Sequence, residues 1–318
     1  MRPTRPAGPV LLVTALAAAL GALLASGCGA PAALPVPTAP APTATPLPSA
    51  TPLPTPQPSA TPTPTPEPTR PAALVVIDAG HGGEDWGSYH LNAAGKVDLV
   101  EKEVNLAIAG YTRDALVARG VRVTMLRETD LALNEEGVDV NGDGVVTVRD
   151  EVQLRVDLAN EAGADLLLSI HQNAYLNARG QPDGSVGGTV TYYCADRPFA
   201  DRNLRLATLV QERSVAALQA AGYDVMDRGV RVDSELSEGG TVQHLVLLGP
   251  VTDRIVRAST MPGALTESLF TTNDEEVALL NDDAVRRSLG EAYAEAVLAY
   301  LEEFGAGGPD LAGPEGAP

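Results

Sequence analysis

Two of the four histidines lie where a metal-dependent site could form. His81 follows an apolar run, within residues 78–83, and His171 follows a second apolar run. In open α/β sheets, ligand sites form at the carboxyl ends of the strands, so we expect both imidazoles at one edge. The glycines on either side of His81 permit a sharp turn and the close approach of a ligand. Taken singly, each histidine has a simpler interpretation as a hydrogen-bonded structural residue.

An acidic segment supplies the oxygen ligand that such a site needs. Glu101 and Glu103 open the first predicted helix, and Glu84 and Asp85 follow His81. Two imidazoles and one carboxylate make an open catalytic zinc site, in which a further position remains for water or substrate. Spacing alone leaves all four acids as candidates for the ligand.

Residues 139–150 form a second candidate cation site, in an insertion before a predicted helix. They resemble a calcium loop, with oxygen ligands at loop positions 1, 3 and 5, glycine at 6, a backbone carbonyl at 7 and a carboxylate at 12. Aspartate at the last position resembles a dockerin loop, but dockerins use two loops, so cohesin binding does not follow. A polar turn is the alternative. The candidate calcium ligands are Asp139, Asn141, Asp143, Val145 and Asp150.

Strand and helix signals alternate between residues 73 and 305. We therefore predict an α/β fold, a single domain with a central mixed, mostly parallel sheet flanked by helices. The predicted strands cover residues 73–79, 121–126, 165–170, 189–194, 243–248 and 263–266. The predicted helices include residues 149–162, 204–221 and 283–304.

The amino terminus has the layout of an export signal. Arg2 and Arg5 precede an apolar run over residues 10–25, as in signal peptides. The run is shorter than the ~20 residues of a spanning helix, although an anchor helix remains an alternative. It ends before Cys28 in a segment that resembles a lipobox, in which the cysteine is acylated. We therefore predict a lipoprotein-type signal peptide over residues 1–27 and a membrane-anchored protein of the cell envelope, outside the cytoplasm, with secretion as the alternative.

Residues 28–72 are predicted to be a Pro/Thr-rich linker, and residues 306–318 a disordered tail. The linker region holds 16 of the 26 prolines, so it favours extended polyproline II rather than a packed core. The net charge of −19 becomes −21 once residues 1–27, with two arginines and no acid, are removed. Such a surface disfavours nucleic acid, whose affinity comes from Lys and Arg. Cys194 is the second of two cysteines, so acylation of Cys28 leaves no internal disulfide.

Four separated segments resemble, in order, the zinc-dependent type 3 family of N-acetylmuramoyl-L-alanine amidases. They lie at residues 78–83, 101–107, 159–171 and 265–270. The resemblance spans nearly all of residues 74–304 and implies an amidase catalytic domain over residues 73–305.

Carried over by position, the resemblance implies a zinc site and a catalytic acid. The chain departs from the family pattern at Ala79, where proline is usual, at Gln172, where a small residue is usual, and at Ser268-Leu269. Asn173 and Arg127 are considered as braces of the site, but neither is counted among its predicted residues. The implied zinc ligands are His81, Glu101 and His171, and the implied catalytic carboxylate is Glu267.

The resemblance implies hydrolysis of the amide bond between N-acetylmuramic acid and L-alanine by zinc-activated water. Glu267 would take a proton from the water and deliver it to the departing nitrogen. The implied cofactor is Zn²⁺, with Ca²⁺ as a second candidate, and the implied partner is peptidoglycan. One alternative is a zinc peptidase that acts within the stem peptide. Another is a non-catalytic wall-binding lipoprotein, which should lack at least one of the four site residues.

The segments outside these motifs predict a zinc site that is not covered by another part of the chain. The interval after the second zinc histidine is too short for the long helical plug of some family members. Residues 224–240, with Asp233, Glu235 and Glu238, are interpreted as a mobile rim loop. His244 is expected to be a core or rim histidine rather than a ligand. We therefore expect no obligatory protein activator.

Overall fold

A six-stranded sheet forms the centre of the domain. The computed structural model describes residues 72–236 and 243–305, which belong to one compact unit. The strands within these residues are β1 (Leu74–Ala79), β2 (Tyr89–Leu91), β3 (Val97–Val100), β4 (Arg122–Met125), β5 (Leu166–Asn173), β6 (Thr189–Tyr193), β7 (Asp227–Val232) and β8 (Gly263–Phe270).

The sheet is mixed and mostly parallel, with the strand order β4-β1-β5-β8-β6-β7. The strands β4, β1, β5 and β8 run parallel to one another. Strand β6 is antiparallel to β8 and parallel to β7. Strands β2 and β3 form a separate antiparallel hairpin. These pairings confirm the predicted α/β fold with its central mixed sheet.

Helices cover both faces of the sheet. α1 and α5 pack together, as do α3 and α5, and they share one apolar cluster with β1 and β5. α2 lies in the cluster on the opposite face. The helices are α1 (Glu101–Val117), α2 (Val148–Ala162), α3 (Ala200–Ala220), α4 (Asp274–Asn281) and α5 (Asp283–Phe304), with a 3₁₀ turn at Asp233–Leu236.

The central strands are buried on both faces. Val75 and Ile77 of β1 pack with α1, α3 and α5, whereas Val76 between them packs with α2. Alternate residues of a strand point to opposite faces, so a strand covered on both sides reads as a continuous apolar run. This is why the apolar runs before His81 and His171 predict strands β1 and β5.

Two predictions for the edge of the sheet are wrong. The segment 243–248 is not a strand: the chain turns there, with the N–H groups of Leu248 and Gly249 donating to the carbonyl of Leu245. The rim-loop interpretation of residues 224–240 fails for Asp227–Val232, which is β7 and takes the edge position beside β6. The first error arises because the apolar segment 243–248 is buried through Leu247 and Leu248 without strand pairing. The second arises because β7 has no fully buried residue and therefore carries little hydrophobic signal.

Several sequence predictions lie outside the described residues. They are the signal peptide 1–27, acylation at Cys28, the linker up to residue 71, the part of the rim segment over 237–240 and the tail 306–318. Among residues 72–236 and 243–305, no helix has the length and apolarity to cross a bilayer.

Candidate metal centre

The site begins at a tight turn after β1. His81 has a φ of 63° and Gly82 a φ of 144°, a backbone region that favours glycine. Two buried arginines bind the carbonyls of this turn. Arg127 donates to the carbonyls of Ala79 and Gly80, and Arg155 donates to the carbonyls of Ala79 and His81. The unusual conformation of His81 is therefore held by hydrogen bonds from outside the turn.

Arg155 was not identified from the sequence. It is almost fully buried and forms a 2.6 Å ion pair with Asp78, whose other oxygen accepts from Ser169. Burial alone would raise the pKa of Asp78, but the charges of Arg155 and His171 and the hydrogen bonds from Ser169 and Arg155 together lower that pKa. Its place in the sequence does indicate burial, because Arg155 lies at helical spacing with apolar residues on the buried face of α2. These residues are Val152, Val156 and Ala159.

His81, Glu101 and His171 converge. Nε2 of His81 and Nδ1 of His171 each lie 3.2 Å from Oε1 of Glu101. The ring centroids are 4.9 Å apart. One ligand atom from each residue lies within 4.8 Å of the others. Two imidazoles and a carboxylate form a donor set of the kind that catalytic zinc uses.

The other acidic candidates take different positions. Asp85 accepts from His81, with 2.8 Å between Nδ1 and Oδ2. Donation from Nδ1–H to Asp85 leaves the lone pair of Nε2 for a metal. Glu103 is exposed on α1, and Glu84 is exposed too. Of the four acids, Glu101 is the one grouped with both histidines.

The second oxygen of Glu101 is fixed by Ser88. Oε2 accepts from the backbone N–H of Ser88 at 2.7 Å and from its hydroxyl at 2.8 Å. Oε1 also accepts from the N–H of Gln172 at 3.1 Å. Burial would raise the pKa of Glu101, but the charge of His81 and hydrogen bonds with both histidines lower it well below the usual range. Glu101 is therefore a carboxylate held with Oε1 between the imidazoles.

The pKa of His81 is raised to about 10. Burial lowers this pKa, but the charge of Glu101 and hydrogen bonds with Asp85 and Glu101 outweigh burial. A metal ion that binds Nε2 must therefore displace a proton.

Two positions beside the proposed ligands require glycine, because any side chain there would overlap the ligand side chains. A Cβ on Gly80 would overlap the imidazole ring of His171. A Cβ on Gly87 would lie 2.5 Å from Oε2 of Glu101 and 2.6 Å from Cδ2 of His81. Real Cβ contacts are not that short, so the packing of the three ligands requires glycine at both positions. Together with the donor set, this cradle fits a zinc ion.

Glu267 lies beside the three ligands on β8. It pairs with His171 in the sheet register, and its Oε2 is buried with no hydrogen-bond partner among the described residues. Burial, reinforced by the charge of Glu101, raises its pKa well above the usual range. A carboxyl group with such a pKa and an uncommitted oxygen is suited to accept and donate protons.

A small cleft adjoins the histidines. Its volume is about 60 Å³. Opposite His81 and His171, its wall includes Val148 and Val152 of α2 and Leu247 of the 243–249 segment. The start of α2 and this segment therefore form one side of the site.

The candidate calcium loop folds around its own acids. Asp139 accepts from the N–H groups of Gly142, Asp143 and Gly144. Asp150 accepts from Val140, Asn141 and Thr147, and these backbone hydrogen bonds lower its pKa. Among the described residues, the groups of three His, Cys, Asp or Glu side chains with ligand atoms within 4.8 Å of one another do not include the acids of this loop. Calcium binding therefore stays a prediction.

Comparison with known proteins gives consistent matches. Residues 75–299 match the family model described as N-acetylmuramoyl-L-alanine amidase. N-acetylmuramoyl-L-alanine amidase AmiA of Escherichia coli is 28% identical over 253 residues, covering 73% of this chain and 77% of that protein. The germination-specific N-acetylmuramoyl-L-alanine amidase of Bacillus subtilis is 28% identical over 232 residues, covering 73% and 81%. The crystal structure of N-acetylmuramoyl-L-alanine amidase from Clostridium difficile 630 is 27% identical, covers 73% of this chain and 97% of that chain, and has a TM-score of 0.52.

Proposed function

The chain belongs to the N-acetylmuramoyl-L-alanine amidase family, and we propose that it is a zinc-dependent hydrolase of peptidoglycan. The proposed bond is the amide between N-acetylmuramic acid and L-alanine. This proposal is supported by the convergence of His81, Glu101 and His171 beside the half-buried Glu267. Oε2 of Glu267 is buried and has no hydrogen-bond partner among the described residues.

The proposed zinc ligands are His81, Glu101 and His171. When bound there, zinc would polarise the amide carbonyl and lower the pKa of the attacking water toward ~7. Asp85 orients the His81 ring through Nδ1, and Ser88 fixes the orientation of Glu101. These contacts hold the ligands before the substrate arrives, which supports catalysis through preorganisation.

Glu267 is the proposed general base and general acid. Its raised pKa brings the carboxyl closer to neutral pH, where one group can take a proton and return it. In the proposed reaction, Glu267 removes a proton from the attacking water. It then delivers that proton to the alanine nitrogen as the C–N bond breaks, because an amine leaves poorly unless it is protonated.

The first test is the products released from purified peptidoglycan. We expect peptides with a new free alanine amino group and glycan strands with free lactyl carboxyl groups. Glu267→Gln should lower turnover by a factor of at least ~10² while zinc stays bound, because Glu267 is not a proposed ligand. His81→Ala should lose both zinc and activity.

Matched variants separate site effects from changes in charge. Glu275→Gln removes an exposed acid close in sequence to Glu267 and should leave turnover unchanged. Glu101→Gln should lose zinc, whereas Glu103→Gln, two residues along the same helix, should keep it. Near-normal turnover in Glu267→Gln would contradict the mechanism. New amino termini elsewhere in the stem would favour a peptidase, and a zinc-loaded chain that releases no products would favour a wall-binding protein.

We also propose that the enzyme acts outside the cytoplasm, held at the membrane by acylated Cys28 and separated from it by the linker 28–72. The relatives' names support the wall as its place of action, since N-acetylmuramic acid is the glycan component named in them. Activity without an obligatory protein activator is part of the same proposal.

A further inference from the structure

A second group of metal-binding side chains lies away from the catalytic site. Cys194 follows β6, Asp233 follows β7, and His244 precedes β8. One ligand atom from each lies within 4.8 Å of the others. Cys194 and Asp233 are fully buried, and the His244 side chain is 6% exposed. Three residues from three separate segments therefore meet in the interior.

The cluster is distinct from the site of His81. Tyr192 pairs with Leu265 of β8, so Cys194, two residues further along β6, lies opposite Gly263. Gly263 and Glu267 are four positions apart on β8. At ~3.3 Å per residue, this places the cluster roughly 13 Å along the strand from Glu267.

The ligand atoms converge on one nitrogen of His244. Nδ1 lies 3.5 Å from Sγ of Cys194 and 3.1 and 3.2 Å from the two oxygens of Asp233. Nε2 faces Asp196, with 3.4 Å to its Oδ2. A proton on Nε2 that points toward Asp196 leaves the lone pair of Nδ1 facing the thiol and the carboxylate. This carboxylate–histidine arrangement is the usual outer support of a metal-binding imidazole.

We propose that Cys194, Asp233 and His244 form a second metal site, one for Zn²⁺ or a similar thiolate-binding divalent ion. The donor set mixes one sulfur, one imidazole nitrogen and carboxylate oxygens, which is typical zinc chemistry. With both oxygens of Asp233 facing Nδ1, three residues offer four donor atoms. A divalent ion with one thiolate, one carboxylate and one neutral imidazole gives no net charge, which suits a buried position.

A nucleophilic cysteine fits these atoms less well. Burial raises the pKa of the Cys194 thiol to about 12, whereas reactive cysteines have lowered values and are partly exposed. In a nucleophilic triad the thiol and the orienting acid take opposite nitrogens of the imidazole. Asp196 does lie at the opposite nitrogen, Nε2, but the buried carboxyl group of Asp233 shares Nδ1 with the thiol. A second acidic group at that position opposes formation of a free thiolate. Metal coordination would instead deprotonate the thiol.

The site would position the wall of the catalytic cleft. His244 begins the turn that carries Leu247, and Leu247 lines the cleft with His81 and His171. A metal bond from His244 to β6 and β7 would tie this turn to the sheet. The proposed role is therefore structural, and it rests on the cluster's own geometry rather than on the amidase mechanism.

Cobalt substitution of the full-length chain tests the site directly. Thiolate ligands give a charge-transfer band in the near ultraviolet, and the proposed catalytic ligands contain no sulfur. We expect the band in the cobalt-loaded protein and in His171→Ala, which removes a proposed catalytic ligand. Cys194→Ser should lose the band and one equivalent of bound metal. Cys28→Ser removes the other cysteine and should change neither.

One result that would overturn the proposal comes from the wild-type protein, so it does not depend on whether a variant folds. A cobalt-saturated wild-type chain without a thiolate band would show that the three residues are only hydrogen-bonded to each other. Loss of the band in Cys28→Ser with retention in Cys194→Ser would overturn it as well. His244→Gln, which keeps the sulfur, should weaken metal binding at this site, and unchanged metal content in this variant would also contradict the proposal.

Discussion

At the residue scale, a hydrogen-bonded chain joins the proposed ligands to the strand of the proposed catalytic acid. Thr271, just after β8, donates its hydroxyl to Ser88 Oγ at 2.8 Å. Ser88 in turn donates to Oε2 of Glu101. Because Glu267 lies on β8, a displacement of this strand would move both the proposed proton carrier and the support of Glu101. The positions of the two acids are therefore coupled.

Two departures from the family pattern contact each other. Nε2 of Gln172 donates to Asn105 at 3.2 Å and to Oγ of Ser268 at 3.4 Å. Ser268 also lies 2.5 Å from the hydroxyl of Tyr293. Since neighbouring residues of a strand point to opposite faces, Ser268 faces away from Glu267. The larger side chain at position 172 is therefore accommodated behind the site.

The crowding at Gly87 leads to a prediction about metal affinity. A Cβ there would press on Glu101 and His81, so Gly87→Ala should displace the ligands. We expect zinc affinity to fall by about 10–100-fold, the range typical of changes to the supports of a metal site. Competition with a chromophoric chelator measures the affinity, and circular dichroism checks folding.

Gly95→Ala is the matched control. Gly95 has a φ of 69°, against 65° at Gly87, but a Cβ there would meet nothing within 4 Å. Both variants carry the strain of alanine at positive φ, and only one crowds the ligands. Equal zinc affinity in the two variants would show that backbone strain, not contact with Glu101, matters at Gly87.

Part of the site could be predicted from the sequence. His81, Glu101 and His171 could be identified because a family motif surrounds each one, and the structure brings them together. Arg155 acts on the His81 turn from 74 residues away, a pairing that local spacing cannot reveal. The second cluster is likewise brought together only by the fold of the sheet, so no local sequence motif predicts it. Its members are Cys194, Asp233 and His244.

At the element scale, periodicity predicted the buried strands and failed at the edge of the sheet. β1 and β5 are covered on both faces and read as apolar runs. β7 has no fully buried residue, so its sequence carries little hydrophobic signal. The reverse holds for 243–248, where Leu247 and Leu248 are buried in a turn. Burial and strand pairing are separate properties, and the sequence reports mainly the first.

The candidate calcium loop is held by hydrogen bonds among its own residues. Gly142 and Gly144 have φ values of 76° and 87°, which let the chain turn around Asp139. Asp150 also caps α2 by accepting from the N–H of Thr147. Because Val148 of α2 lines the cleft, an ion in this loop would stabilise that side of the site.

We predict that calcium raises the melting temperature of the protein. An ion at a hundred times its dissociation constant adds about 2.7 kcal/mol to the free energy of unfolding. For a domain of about 150–250 residues this corresponds to a shift of roughly 5–11 °C. Asp139→Ala combined with Asp143→Ala should remove the shift because it removes two proposed ligands. Differential scanning calorimetry, run with calcium and separately with magnesium, measures the shift in melting temperature.

The neighbouring acids give a control with the same change in charge. Glu135→Ala combined with Glu136→Ala removes two exposed carboxylates close to the loop and should retain the calcium response. A response lost equally in both double variants would indicate general screening of negative charge. No response in the parent protein would leave this segment as an ordinary polar turn.

At the scale of the whole molecule, charge and anchoring act together. The chain carries a net charge of −19, or −21 without residues 1–27. Electrostatic attraction therefore cannot hold it at an anionic membrane or wall polymer. Within the linker, the 41 residues 31–71 could reach on the order of 130 Å if fully extended at ~3.1 Å per residue. A lipid anchor with such a linker would keep the enzyme near its substrate without attraction between charges.

The final prediction is that Cys28 carries the anchor. Each buried CH₂ of an acyl chain contributes about 0.8 kcal/mol to membrane binding, and stable anchoring needs more than one chain. Cys28→Ala should therefore move the protein from the membrane fraction to the soluble fraction and abolish labelling by an alkyne fatty acid. Hydrolysis of purified peptidoglycan should stay unchanged, because the site residues lie within 81–267. Cys194→Ser should keep both the label and the membrane association. If Cys28→Ala still partitions with membranes, the apolar run 10–25 is an uncleaved anchor helix, and if the parent protein is soluble and unlabelled, it is secreted.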